Sequence, residues 1–337
     1  MNTSVMSPSN QKLIAFVVAT AAYIIGLPLF FGQSPYALGV LSMSAVLSVI
    51  AMGVWVTFTI GRINLGQGAF ALAGGYVAAI CTTRWGISFW IALPLAGLAS
   101  AALGIVLGLG ILRLRGVYFA MITISLSEAV RLAILNGGSF TNGASGISGI
   151  PVPGELSIFG LVLIPDFATG NTHLSFFYLS GILMLLSALL VWRLMASRIG
   201  AVFHSLQQDQ DLSQSLGVNI TKYRLIAFAV TAFLGGIGGA FFASMQQSIF
   251  PSSFVVADSI SFALFCFLGG LAFVGGPIMG AFLLTIAFQL FHEFQQYQQL
   301  VYALLMIGIM MWLPNGLLSL RLLGSRKPTR ATPEEQP

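Results

Sequence analysis

Two constellations in this chain combine residue types that can do polar chemistry in apolar surroundings. Glu128 and Arg131 stand at i and i+3 inside an apolar run, so on a helix they share a face. At 1.5 Å per residue Glu128 falls about 18 Å along a helix of roughly 30 Å, past its middle. Charges at that depth are costly unless paired or facing protein or water. The pair is therefore either a local structural contact or an element that lines or gates a translocation pathway. The second constellation, Arg62, Asn64 and Gln67 in GRINLGQG, opens another apolar run. A helix broken there would offer backbone groups to a polar solute; a plain interfacial helix start explains the same residues.

Catalytic and metal chemistry find no support. His173, His204 and His292 are far apart with no ligand spacing, and no G-x-S-x-G elbow occurs. Cys81 and Cys266 both fall in apolar stretches, as small core residues do. A Walker A motif needs Gly-Lys before Ser or Thr to hold phosphates, and the sequence contains no Gly-Lys dipeptide. The chain is thus expected to have no catalytic or metal site and to bind no cofactor. Any ATP that drives it is expected to be used by separate subunits.

The elements that must position these residues are membrane spans. Charged residues make up 7% of the 337 residues and apolar ones 57%, against about 25% charged in soluble domains. A spanning helix needs about 20 mainly apolar residues. Ten segments qualify: Leu13–Phe31, Leu38–Ile60, Leu65–Thr83, Ile87–Leu112, Gly116–Leu135, Leu174–Leu194, Tyr223–Met245, Ser259–Val274, Ile278–His292 and Leu300–Leu318. The third, eighth and ninth are short and glycine-rich, so eight spans with re-entrant segments remain an alternative. The first is too long for a signal-peptide core and reads as a retained span. The fold class is all-α, a polytopic integral membrane protein.

Charge sets the orientation. With the N-terminus in the cytoplasm, Lys12, Arg62, Arg113, Arg115, Arg193, Arg198, Lys222, Arg224, Arg321, Arg326, Lys327 and Arg330 all fall inside, leaving only Arg84 and Arg131 elsewhere. The net charge of +5 therefore reports topology, and no nucleic-acid partner is expected. The expected organisation is a cytoplasmic tail (1–12), a transmembrane permease domain (13–320) and a second cytoplasmic tail (321–337). An outer loop spans 136–173; it is either a turn-rich connector or a docking surface.

The cytoplasmic segment 196–222 carries SRIGAVFHSLQQDQDLSQSLGVNITK. It reads as a polar helix of about three turns with Gly217 as its C-cap. Leu206, Leu212 and Leu216 recur at helical spacing, either packing back on the protein or offering a surface to a soluble partner. Small residues also recur in LGQGAFALAGGY (65–76), LGGIGGAFFAS (234–244) and GGLAFVGGPIMGA (269–281). Close helix packing accounts for such runs; an internal repeat is the alternative.

Four ordered stretches resemble the LivM-type permease subunits of branched-chain amino acid ABC importers. RLRGVYFAMITISLSEAVR (113–131) is similar to R-L-R-G-x-Y-x-A-x-x-T-x-x-x-x-E-x-x-R, and TNGASGISGIP (141–151) to T-x-G-x-x-G-I-x-G-I-P. LGVNITKYRLIAF (216–228) looks like the segment after the family's coupling loop, and 269–281 like G-G-x-G-T-x-x-G-P-x-x-G-A. The resemblance implies one of two permeases that form a pore in the cell (inner) membrane. It also implies two cytoplasmic P-loop ATPase subunits, an external solute-binding protein and contact with membrane lipid. It would make Leu206, Gln208, Asp209, Gln210, Asp211, Leu212, Leu216 and Gly217 the ATPase-coupling loop, and Asn64, Gln67, Glu128 and Arg131 part of the pathway. Branched-chain or other hydrophobic amino acids would be carried by alternating access. Urea, short amides or aromatic acids are the alternative cargo within such importers, and a secondary carrier is a further alternative. The sequence departs from the family at Gln207–Ser213, where a charged R-E-D-E-x-A-A run is expected, and at Gln67, where the L-G-H-A-A-F pattern has histidine.

Overall fold

The computed structural model describes residues 34–290 except 115, 159, 160, 165, 166 and 168–170, together with the isolated positions 26, 28 and 307. Apart from those isolated positions, the expected first and tenth spans and both tails lie outside the described residues. So do Lys12, Arg115, Asp166 and His292, and with the tail Arg321, Arg326, Lys327 and Arg330.

Among the described residues the chain is helical almost throughout. The helices are α1 (Pro35–Phe58), α2 (Gln67–Thr83), α3 (Phe89–Ile111), α4 (Val117–Leu135), the single turn α5 (Gly138–Thr141), α6 (Thr172–Ala196), α7 (Arg198–Gln208), α8 (Gln210–Ser215), α9 (Ile220–Gln246), α10 (Val256–Gly269) and α11 (Gly276–Leu290). Five of them, α1, α3, α4, α6 and α9, are long and apolar enough to cross a membrane, so the chain is a multi-pass membrane protein. The expected spans between residues 38 and 292 agree with these helices to within a few residues. The main difference is α10. It stops at Gly269 because Gly270 takes φ 108 and closes the last turn on the Cys266 carbonyl.

Local chemistry sets the helix starts. Ser34 caps α1 ahead of a proline in its first turn, and Asn171 and Asn219 cap α6 and α9 by accepting from Leu174 N and Lys222 N. Buried hydroxyls such as Ser42, Ser48 and Thr57 donate to carbonyls three or four residues back in their own helix, so they need no outside partner.

The 27-residue α9 runs through the centre of the bundle, packed on α1, α2 and α3, while α1 also packs on α6 and on the α10–α11 pair. The glycine runs explain how these helices come so close. A Cβ on Gly74 of α2 would lie 2.3 Å from the Gly236 Cα of α9, so neither position admits a side chain. The first two small-residue stretches are thus each other's packing partners. The third folds on itself: a Cβ on Gly269 of α10 would strike the Gly276 carbonyl of α11, and one on Gly280 the Phe265 carbonyl of α10. Close packing accounts for all three.

The segment 136–173 carries more structure than a connector requires. Its β1 (Ile147–Ser148) pairs antiparallel with β4 (Ser248–Ile249), which directly follows α9, and β2 (Leu156–Ile158) pairs with β3 (Leu161–Ile164). Ile150 N also donates to the Gln247 carbonyl, and Trp90 Nε1 to that of Gly154. The glycine-rich motif at 141–151 is thereby strapped to the end of the central helix.

Candidate coupling and translocation surfaces

The start of α2 is a hub of hydrogen bonds among helices. Gln67 Nε2 donates to the Ile50 carbonyl of α1 at 3.1 Å and the Thr231 carbonyl of α9 at 3.0 Å. Asn64 Nδ2 donates to Gln67 Oε1, and Asn64 Oδ1 accepts from Gly66 N. Leu65 N donates to Thr123 Oγ1 of α4, and Gly68 N to Ser259 Oγ of α10. The first residues of α2 and the unwound Leu65 before it thus place their polar groups on four neighbouring helices, as polar groups inside a membrane must. Asn64 and Gln67 have no exposed surface in this chain. Of the two readings of this cluster, the arrangement fits a buried helix start. Arg62 is also buried, its guanidinium carbon 5.5 Å from the centre of the Phe119 ring. The hydroxyl partners Thr123 and Ser259, and Thr231, which accepts through its carbonyl, were not singled out by sequence. Their only signal is that each is a polar residue inside an apolar run.

Glu128 and Arg131 bond as the i, i+3 spacing predicts: Arg131 Nε donates to Glu128 Oε2 at 2.9 Å, and a second guanidinium nitrogen to Oε1. Their side chains keep 40% and 24% of their surface exposed, and α4 is the least buried of the five long apolar helices. The other exposed arginine away from the inner set is held too. Arg84 donates to the Ser139 carbonyl at 2.7 Å and lies over the Phe140 ring.

The segment after α6 differs from the single helix expected. Asp209 adopts an extended backbone (φ −151, ψ 113), and its Oδ1 accepts from Asp211 N and Leu212 N. One residue thus ends α7, its N–H donating to the Ser205 carbonyl, and starts α8 with its carboxylate. Gly217 does close α8: it takes φ 83, its N–H bonds to Gln214 O, and Val218 N bonds to Ser213 O. That pair of bonds is a Schellman closure, which favours glycine at this position. The break separates the three leucines. Leu206 on α7 is buried, whereas Leu212 and Leu216 are 59% and 78% exposed. Gln208, Gln210 and Asp211 flank them, and of these Gln208 and Asp211 are exposed. A six-residue helix capped at both ends therefore presents two leucines outside the apolar spans.

Central helices cross-linked by buried polar groups, a little-buried helix with an ion pair, and an amphipathic insertion between two spans define a polytopic membrane protein. The chain matches, over residues 36–313, the family described as the permease component of branched-chain amino acid transport systems. It is 33% identical to the high-affinity branched-chain amino acid transport system permease protein LivM of Salmonella typhimurium, covering 93% of this chain and 76% of that protein, and LivM of Escherichia coli K12 gives the same figures. It is 22% identical to the ribose import permease protein RbsC of Haemophilus influenzae, over 80% of each chain. No solved structure matches it. The chain belongs to the branched-chain amino acid transport permease family.

Proposed function

We propose that this chain is one of two permease subunits of an ATP-driven importer in the inner membrane. It would carry branched-chain or other hydrophobic amino acids inward by alternating access. The observation that carries this reading is the exposed Leu212–Leu216 pair on α8, held rigid by the Asp209 cap and the Gly217 closure. Two large apolar side chains in water on a short capped helix are suited to a groove on a soluble partner. A cytoplasmic P-loop ATPase is that partner, since the sequence has no phosphate-binding loop of its own. The family and the LivM relatives, named for branched-chain amino acid transport, support the cargo.

The Glu128–Arg131 pair supports a second subunit. A charge facing lipid at mid-helix costs about 2.5–3.5 kcal/mol, so the α4 face is suited to a protein neighbour or a water-filled path. Asn64 and Gln67 act in this reading by anchoring α2 rather than by touching solute. An external binding protein would deliver the cargo, and lipid would cover the remaining apolar faces. The direct experiment is co-purification of this chain with its ATPase. Leu212→Asp combined with Leu216→Asp should release the ATPase while the permease keeps its melting temperature; full retention of the ATPase by the double variant would refute the docking assignment.

A further inference from the structure

At the end of the fold opposite α7 and α8, a cavity of about 580 Å³ opens between α1, the last turns of α9, the 250–255 connection, α10 and α11. Five phenylalanines line it, and four of their rings form an unbroken run. Phe242 and Phe254 have centroids 4.9 Å apart, Phe254 and Phe262 6.4 Å, and Phe262 and Phe265 6.2 Å. Among these rings stands one carboxylate, Asp258. Its Oδ2 accepts from Val255 N at 2.8 Å, and its Oδ1 bonds to no protein group among the described residues. Ser253, Ser261 and Thr285 complete the polar lining; Ser253 Oγ accepts from Phe250 N, Ser261 Oγ donates to the Ala257 carbonyl, and Thr285 Oγ1 makes no hydrogen bond among the described residues.

Small-molecule sites commonly enclose about 300–1,000 Å³, mostly apolar with a few placed polar groups. The chemistry here selects the ligand. A carboxylate beside aromatic faces attracts a cation both by charge and through the ring quadrupoles. The mostly apolar, phenylalanine-rich lining around the single carboxylate favours an organic cation over a hydrated metal ion. The phenylalanine walls require that it carry an apolar body. We propose that this cavity binds a small hydrophobic solute through its ammonium group at Asp258. An aliphatic α-amino acid fits best, because its carboxylate can accept from the Thr285 hydroxyl. The assignment rests on the reading of this chain as an amino-acid permease. It adds a contact point on the permease itself, at the end farthest from the ATPase-docking helix.

The test uses the full permease–ATPase assembly without its binding protein, in nanodiscs of phosphatidylglycerol, a lipid with no ammonium group. Labelled leucine is titrated, with 3-methylbutylamine and 4-methylpentanoate as competitors. The wild type should bind leucine saturably, and the amine should compete while the acid should not. Asp258→Asn keeps an oxygen to cap Val255 and should weaken binding about tenfold, the effect of one charge-assisted hydrogen bond. Met43→Trp, which fills the cavity without touching a charge, should weaken it as well. Absence of saturable binding in the wild type, unchanged binding in both variants, or competition by the acid equal to that of the amine overturns the proposal. So does loss of binding when phosphatidylethanolamine is added, which would assign the ammonium to a lipid headgroup. Leucine uptake by the wild-type importer, measured separately with its binding protein, tests the permease reading itself.

Discussion

Gln67→Leu separates an anchoring role at the start of α2 from a role in contacting solute. Leucine nearly preserves the shape of the buried side chain but removes the Nε2 donor to Ile50 O and Thr231 O. Both carbonyls also accept from the amide four residues on in their own helices, so neither is left empty. The loss is then two interhelical hydrogen bonds, each about 0.6 kcal/mol in a membrane bundle and at most about 1.7, and the bond from Asn64 Nδ2 to Gln67 Oε1, whose removal strands a buried donor at about 1–3 kcal/mol. The sum is about 2–5 kcal/mol, or a fall in Tm of roughly 4–20 °C for a domain of this size. The assay pairs thermal unfolding of the purified chain in detergent with solute uptake per assembled complex. Anchoring predicts the lower Tm with uptake close to wild type. An unchanged Tm with uptake lost would falsify the anchoring argument and return Gln67 to the pathway.

Three further outcomes follow from other parts of the structure. Gly74→Val should lower the yield of folded protein and reduce stability by about 1–3 kcal/mol through overpacking against Gly236, read as a fall in Tm; equal Tm would show that α2 and α9 are not so closely packed. Glu128→Ala leaves Arg131 without its carboxylate and should reduce uptake more than it reduces assembly with the second permease; equal loss of both in a pull-down and uptake comparison would make the pair structural only. Asp209→Ala removes the cap shared by Asp211 N and Leu212 N and should cost about 1 kcal/mol of local helix stability, seen as faster amide exchange across α8; unchanged exchange there would contradict the cap.

Much of the fold was legible because hydropathy is a local property of the sequence. The ends of α1, α2, α3, α4, α6 and α9 fall within a few residues of the expected spans, and Gly217 ends its helix as read. The Glu128–Arg131 bond was legible for the same reason, since i and i+3 already share a helix face. What escaped the sequence depends on distant partners. The Gln67 bonds join residues 17 and 164 positions away, and β1 meets β4 across a hundred residues of chain. The break at Asp209 was hidden because an aspartate within a polar run suits a helix surface and a helix cap equally well. Asp258 was passed over because it stands singly at the head of an apolar run; its surroundings come from α1, α9 and α11.

The coupling surface follows from α8, and the account as a whole depends on the energy source that surface implies. The most direct measurement is accumulation of labelled leucine by proteoliposomes holding this chain, its permease and ATPase partners and the binding protein. ATP is supplied on the α8 side. The account predicts accumulation only with ATP, abolished by the Leu212→Asp, Leu216→Asp double variant. Accumulation driven by a proton or sodium gradient without ATP would contradict it.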